Sequence, residues 1–108
     1  MYNAQKRTIA SEFNVDLYSV PAIVKTNDWQ DESWHNDTCP SFFNEKLMLK
    51  LWLEADDPKD REFEPGQMSS KKYSLLTVNN DQEHVDLIVE TDDLAVLEKA
   101  INDYESKK

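Results

Sequence analysis

The chain has 108 residues, with 22 acidic and 12 basic side chains, so its net charge at pH 7 is -10. This length fits one domain with a single apolar core, and a hydrophobic fraction of 39% is enough to build that core. The negative charge repels a phosphate backbone, which excludes nucleic acid as a direct ligand. It would attract a basic protein surface instead, although solubility alone also explains an acidic exterior.

Membrane insertion and secretion are not expected either. The longest apolar run, residues 47–53, is interrupted by Lys50 and is far shorter than the roughly 20 residues that cross a bilayer. The first 13 residues contain no continuous apolar stretch typical of a secretory signal. The single cysteine, Cys39, excludes an internal disulfide and agrees with a reducing compartment. We therefore expect a soluble, cytoplasmic protein.

The N-terminal quarter predicts a short helix followed by edge strands. In the first dozen residues Tyr2, Ile9 and Phe13 have a loose helical spacing, which favours a short N-terminal helix, although a period of two also fits part of this stretch. Alternation in residues 13–18, followed by residues 20–26, predicts one or two strands. Because Pro21 is confined to strand starts, edges or bulges, these strands are expected at a sheet edge.

The middle of the chain predicts one central strand and one long connection. Residues 47–54 place four leucines on one side, and Lys50 and Trp52 are among the residues on the other. Because that second side also carries apolar bulk, a central strand is expected. Residues 55–72 contain two prolines and the only glycine, and this connection is longer than most in compact domains. We interpret it as a mobile loop or a partner-binding arm.

The C-terminal third predicts a β-hairpin and a helix. Residues 73–78 and 85–89 are rich in β-branched and aromatic side chains and are separated by a turn-forming stretch. Val85, Leu87 and Val89 alternate with Asp86, Ile88 and Glu90, which predicts that the first three face the core and that the other face is mostly wet. Thr91 and two aspartates then begin a helix whose apolar stripe is formed by Leu94, Leu97, Ala100, Ile101 and Tyr104.

Together these patterns predict an α+β fold in a single domain of residues 1–108. We expect a small antiparallel sheet of three to five strands, connected as a meander. The C-terminal helix is expected on one face of that sheet. No internal repeat or linker interrupts the chain.

Residues 26–43 are the best candidate for a functional segment, because they combine two tryptophans, a histidine and the cysteine without a periodic pattern. Tryptophan is enriched at binding hot spots, and acidic neighbours suit a basic partner. The predicted partner-binding residues are Trp29, Asp31, Glu32, Trp34, His35, Asp37, Phe42 and Phe43. The alternative is that these aromatic rings fold over an open sheet edge and complete the core.

The same segment also offers groups that could bind a metal or act in catalysis. His35 and Asp37 are two residues apart, with Cys39 close by and His84 in the predicted hairpin turn. Zinc sites require three or four converging ligands, and their usual sequence signal is paired Cys or His residues. Only part of such a pattern is present. Nothing selects a nucleophile or a carboxylate pair, and the glycine shortage excludes a phosphate-binding loop. We therefore predict neither a metal nor a cofactor.

Two functional hypotheses remain. The first is a non-enzymatic protein-binding, inhibitor or regulatory module, such as an immunity protein, an antitoxin or a nucleic-acid mimic, that covers a basic protein surface. The second is a small metal-dependent or hydrolase-like enzyme that uses His35, Asp37 and either His84 or Cys39. Self-association into a homodimer through an unpaired edge strand is an alternative to a basic partner.

Overall fold

The computed structural model describes residues 13–26, 28–33, 39–57 and 71–107. These residues form a five-stranded antiparallel sheet with one C-terminal helix, which confirms the predicted α+β fold. The strands are β1 (Gln30–Asp31), β2 (Ser41–Asn44), β3 (Leu49–Leu53), β4 (Tyr73–Val78) and β5 (His84–Thr91), and the helix is α1 (Leu94–Ser106). Two short 3-10 helices, Val15–Leu17 and Ala22–Lys25, precede the sheet.

The sheet is a meander in which each described strand pairs with the next along the chain, in the order β1-β2-β3-β4-β5. The third strand, β3, is central, as its two apolar sides predict. Its leucines Leu49, Leu51 and Leu53 are fully buried on one face, whereas Lys50 and Trp52 are half-buried on the other. The alternation along this strand therefore gives the correct register for both faces.

The core lies between the leucine face of the sheet and α1. Leu97 and Ile101 of the helix are buried there together with Leu75 and Tyr73 of β4. The helix begins where Asp93 caps it, since the Asp93 carboxylate accepts a hydrogen bond of 2.9 Å from the backbone N–H of Ala95. The predicted stripe is confirmed in its middle, because Leu97 and Ile101 are buried and Ala100 and Tyr104 pack against them. Leu94 at the first turn is exposed instead.

The prediction of one or two edge strands within residues 13–26 is wrong, because the structure has 3-10 helices there. The side chain of Asn14 accepts a hydrogen bond from the backbone N–H of Asp16 at 3.1 Å and so starts a tight turn before Val15–Leu17. Pro21, whose φ of -67° is fixed by its ring, precedes the second turn, Ala22–Lys25. The alternation of apolar and polar side chains does not reveal these local turns.

Strand β1 and the first three residues of β2 lie in residues 26–43, where the sequence shows no periodic pattern. Strand β1 has only two residues, and all four residues of β2 are buried, so neither gives an alternating signal. The predicted N-terminal helix lies outside the described residues, except for its last residue, Phe13. Most of the connection at residues 55–72 lies outside them as well.

The burial predicted for β5 is wrong in its first half. Val89 pairs with Leu75 on the helix-facing side, but register shifts bring Leu87 opposite Leu76, on the other face. Val85 and Leu87 are consequently 58% and 56% exposed. Because each bulge inserts an extra residue into the strand, the simple period of two is lost between His84 and Val89.

An aspartate joins the N-terminal segment to the sheet. The Asp56 carboxylate accepts hydrogen bonds from the Ser19 backbone N–H at 2.9 Å and the Ser19 hydroxyl at 2.5 Å, and it pairs with the Lys72 ammonium at 2.6 Å. The backbone N–H of Asp56 also donates to the carbonyl of Leu17 at 2.8 Å. Partial burial raises the pKa of Asp56, but the contacts from Lys72 and Ser19 outweigh this effect and hold it below the usual range.

Candidate functional site

The negative charge of the protein is concentrated in the C-terminal third of the structure. The described residues contain 17 acidic and seven basic side chains, so they account for the whole net charge of -10. Residues 81–107, which form the last turn, β5 and α1, hold nine acidic side chains and two basic ones. One of those bases, Lys99, is already paired with Asp103 at 2.8 Å. This part of the molecule therefore generates a strong negative potential.

Exposed apolar side chains occur in the same part of the structure. Of the five large hydrophobic residues that are exposed within the described ranges, four belong to β5 and α1: Val85, Leu87, Leu94 and Val96. Strand β5 is also the last strand of the sheet, with β4 as its only described neighbour. Val85, Asp86, Leu87 and Glu90, all exposed, form what we call the β5 surface. It combines apolar and acidic groups on a sheet edge.

A polar cluster lies on the face of the sheet opposite α1. The Trp52 indole N–H donates to Nε2 of His84 at 3.2 Å, and the Lys50 ammonium lies 4.9 Å from the Trp52 ring centre. Lys50 also donates to Gln82 at 3.4 Å and lies 3.9 Å from a Glu32 carboxylate oxygen. Since the indole can only donate, Nε2 of His84 must be unprotonated in this arrangement. The cluster joins the β1 region to the β4–β5 turn.

These contacts mainly hold the side chains of the cluster in fixed positions. The charge of Lys50 is compensated by Glu32, and its ammonium lies over the Trp52 ring. The His84 ring meets the Trp52 ring edge-on at 5.9 Å, which fixes its orientation. His84 itself is exposed at the start of β5, next to the β5 surface. The cluster therefore anchors the end of β5 from which that surface begins.

A cleft of about 740 Å³ lies between the N-terminal 3-10 helices and the first two strands. Its walls combine aromatic and aliphatic groups with Lys25 and Asp31, one charge of each sign. The Asp31 carboxylate is oriented by the Ser33 hydroxyl at 2.7 Å and the Ser33 backbone N–H at 3.1 Å. The residues that line the cleft are Tyr18, Ser19, Val20, Val24, Lys25, Thr26, Trp29, Asp31 and Phe42.

The eight predicted partner-binding residues do not form one surface in the described structure. Trp29, Asp31 and Phe42 line the cleft, and the two aromatic rings are otherwise buried in the core. Phe43 is buried as well, and its register partner Lys50 places it on the opposite face of β2 from Phe42. Glu32 belongs to the polar cluster. The other three, Trp34, His35 and Asp37, lie outside the described residues. Partner binding by the set stays a prediction.

The groups considered for catalysis are only partly described. Cys39 is buried beside β2, whereas His84 is exposed at the start of β5. Pro40 pairs with Leu53 at one end of the sheet, and His84 pairs with Val78 at the other. The Cys39 and His84 backbones lie three strands apart across the sheet and about five residues apart along the strand direction. These two offsets correspond to a distance of about 20 Å. These two residues therefore do not meet in one site.

Within the described ranges, no group of three or more His, Cys, Asp or Glu side chains could hold a metal ion. In the same part of the chain, no helix is long and apolar enough to cross a membrane. Comparison of the chain with protein-family models, with curated proteins and with solved structures found no match.

The β5 surface is not predicted from the sequence, because the alternation that includes Val85 and Leu87 indicates a buried face. The bulges that expose these two side chains have no clear sequence signal. The N-terminal wall of the cleft, which includes Tyr18 and Val24, is not predicted either. The acidic composition of residues 81–107 is the one signal that points to this end of the molecule. Charge distribution is thus more informative here than hydrophobic period.

Proposed function

We propose that the chain is a non-enzymatic protein-binding module that covers a basic surface of a partner protein, in the manner of an immunity protein, an antitoxin or a nucleic-acid mimic. The observation that carries this proposal is the coincidence of exposed apolar residues with the densest negative charge, on β5 and α1. Protein interfaces typically combine an apolar centre with a polar rim, and charge complementarity selects the partner.

The composition of the β5 surface fits this role. Val85 and Leu87 would supply the apolar contact, while Asp86 and Glu90 would face basic groups of the partner. The field of residues 81–107 would raise the association rate with a basic surface and would repel nucleic acid. It would also repel a second copy of the same surface, so we propose a basic partner rather than a homodimer through β5.

The test compares two double variants that remove equal charge. In the first, Asp86→Asn and Glu90→Gln neutralise the β5 surface; in the second, Asp16→Asn and Glu45→Gln neutralise exposed acids at other positions. The partner is captured from the native cell at low salt and identified, and Kd is then measured by calorimetry. We expect the β5 variant to weaken binding by about 1–2 kcal/mol, roughly 5- to 30-fold, and the control variant to change it little.

Salt provides the second arm of the experiment. Binding of the unaltered protein should weaken steadily as ionic strength rises, because exposed charges are screened beyond a Debye length of about 10 Å at 0.1 M salt. Equal effects of the two double variants would show that only total charge matters, and that the β5 surface is not the interface. A Kd independent of salt would contradict the proposal as a whole.

A further inference from the structure

We infer that β5 binds its partner by strand addition, taking up a basic, extended peptide segment along its outer edge. This inference rests on the proposed function and names the part of the partner that the β5 surface recognises. In this mode the main chain of the peptide pairs with the edge strand, and alternate side chains provide specificity.

Strand β5 is suited to this role by its length and its position. With eight residues it is the longest strand of the described sheet, and it lies at the end of the strand order. The backbone N–H and C=O groups of an edge strand form a template for a further strand. Val85 and Leu87 present apolar side chains next to this edge and would pack against the side chains of an added strand.

The charge of β5 determines which strand can be added. Asp86 and Glu90 lie within the strand, Asp81 and Glu83 in the turn before it, and the sequence of β5 itself contains no lysine or arginine. Directly opposed side chains in neighbouring strands are about 5 Å apart, where opposite charges attract and like charges repel. A peptide with alternating basic residues is therefore favoured. A second copy of β5 is disfavoured.

The bulges of β5 restrict where an added strand can pair. Acidic residues and bulges are common protections of edge strands against indiscriminate pairing. Here the two register shifts lie between Leu75 and Val78 of β4, so the segment of β5 from Thr91 to Val89 keeps regular pairing. An added strand must then be held by complementary charge as well as by backbone hydrogen bonds. The outer edge of β5 therefore disfavours pairing with acidic or neutral strands and favours pairing with basic ones.

The experiment uses the full chain, labelled with 15N, and a synthetic eight-residue peptide in which lysine alternates with valine, capped at both ends. A second peptide has the same sequence but carries methyl groups on two successive central backbone nitrogens. Because successive N–H groups of a strand point to opposite edges, this modification blocks pairing along both edges and leaves the charge unchanged. Binding is measured by NMR titration and by amide hydrogen exchange.

We expect the unmodified peptide to slow amide exchange in β5 and to shift its backbone resonances, and the methylated peptide to bind at least about tenfold more weakly. The double variant Val85→Thr and Leu87→Thr keeps strand propensity and should weaken peptide binding, whereas Val15→Thr, at an exposed valine outside the sheet, should not.

The outcomes separate this inference from the proposed function. Equal binding of the two peptides, or resonance shifts confined to the cleft at Trp29 and Phe42, would overturn strand addition and leave an acidic binding surface in place. Absence of peptide binding, with intact salt-dependent binding of the captured partner, would also overturn strand addition alone. If neither the peptide nor a captured partner binds in a salt-dependent way, the proposed function is overturned together with the inference.

Discussion

The contacts of Asp56 lead to a quantitative prediction. Replacing Asp56 with alanine removes two hydrogen bonds from Ser19 and the ion pair with Lys72. The Asp56 side chain is 42% exposed, so solvent screening keeps each contact near the lower end of its range. We expect a loss of about 2 kcal/mol in the free energy of unfolding, and a fall of about 10 °C in Tm for a domain of this size.

The same substitution should change the response to acid. Because the pKa of Asp56 is lower in the folded than in the unfolded protein, its contribution is fully present above the unfolded value of about 4. It is lost as the pH falls through the folded pKa, when the carboxylate is protonated in both states. The difference in stability between the unaltered protein and Asp56→Ala should therefore be largest near pH 7 and shrink below about pH 4.

Urea unfolding, followed by tryptophan fluorescence at pH 7 and at about pH 3, measures both effects. The control is Asp16→Ala, which removes an exposed aspartate from the same N-terminal segment and should change stability by less than about 0.5 kcal/mol. If Asp56→Ala and Asp16→Ala have equal stability, or if the stability difference for Asp56→Ala is the same at both pH values, the reasoning about this contact is refuted.

Three further predictions concern α1 and the polar cluster. Leu97→Ala removes a fully buried side chain between α1 and the sheet and should cost about 3 kcal/mol in urea unfolding; a cost below about 1 kcal/mol would place the helix elsewhere. Asp93→Ala removes the cap on the Ala95 N–H and should cost about 1 kcal/mol, whereas Asp93→Asn should restore most of it. Because Nε2 of His84 accepts the hydrogen bond of the Trp52 indole N–H, His84→Ala should speed hydrogen exchange of that indole N–H, measured by NMR at constant pH; an unchanged exchange rate would refute the bond.

Period-based reasoning works well for the second half of the chain. Strand β4 follows the predicted bounds and β3 has the predicted alternation. The helix α1 begins directly after the predicted start at residues 91–93, although the Asp93 carboxylate caps it and not the predicted Thr91 hydroxyl. In these elements one face is buried over most of the length, so the hydrophobic period is regular, although Leu94 in the first turn of α1 is exposed. The central position of β3 is visible in the sequence for the same reason, since Trp52 adds apolar bulk to its second face.

The same reasoning fails where local hydrogen bonds or bulges set the backbone. The Asn14 cap and Pro21 produce turns in a stretch that alternates like a strand. Strand β2 is buried at every position, so it has no period to detect. In the candidate site, the acidic charge near β5 is predictable from composition, but the exposure of Val85 and Leu87 depends on a register that only the paired strands define.

The meander order of the sheet has a consequence for how the protein folds. Every described strand pairs with its neighbour in sequence, so most native contacts close short loops and the relative contact order is low for a sheet protein. The β4–β5 hairpin and α1 are contiguous and can form early as one unit. Among the strand pairings, the slowest closure is then the joining of β3 to β4 across the 19 residues between them. Shortening that connection should accelerate folding more than it stabilises the native state.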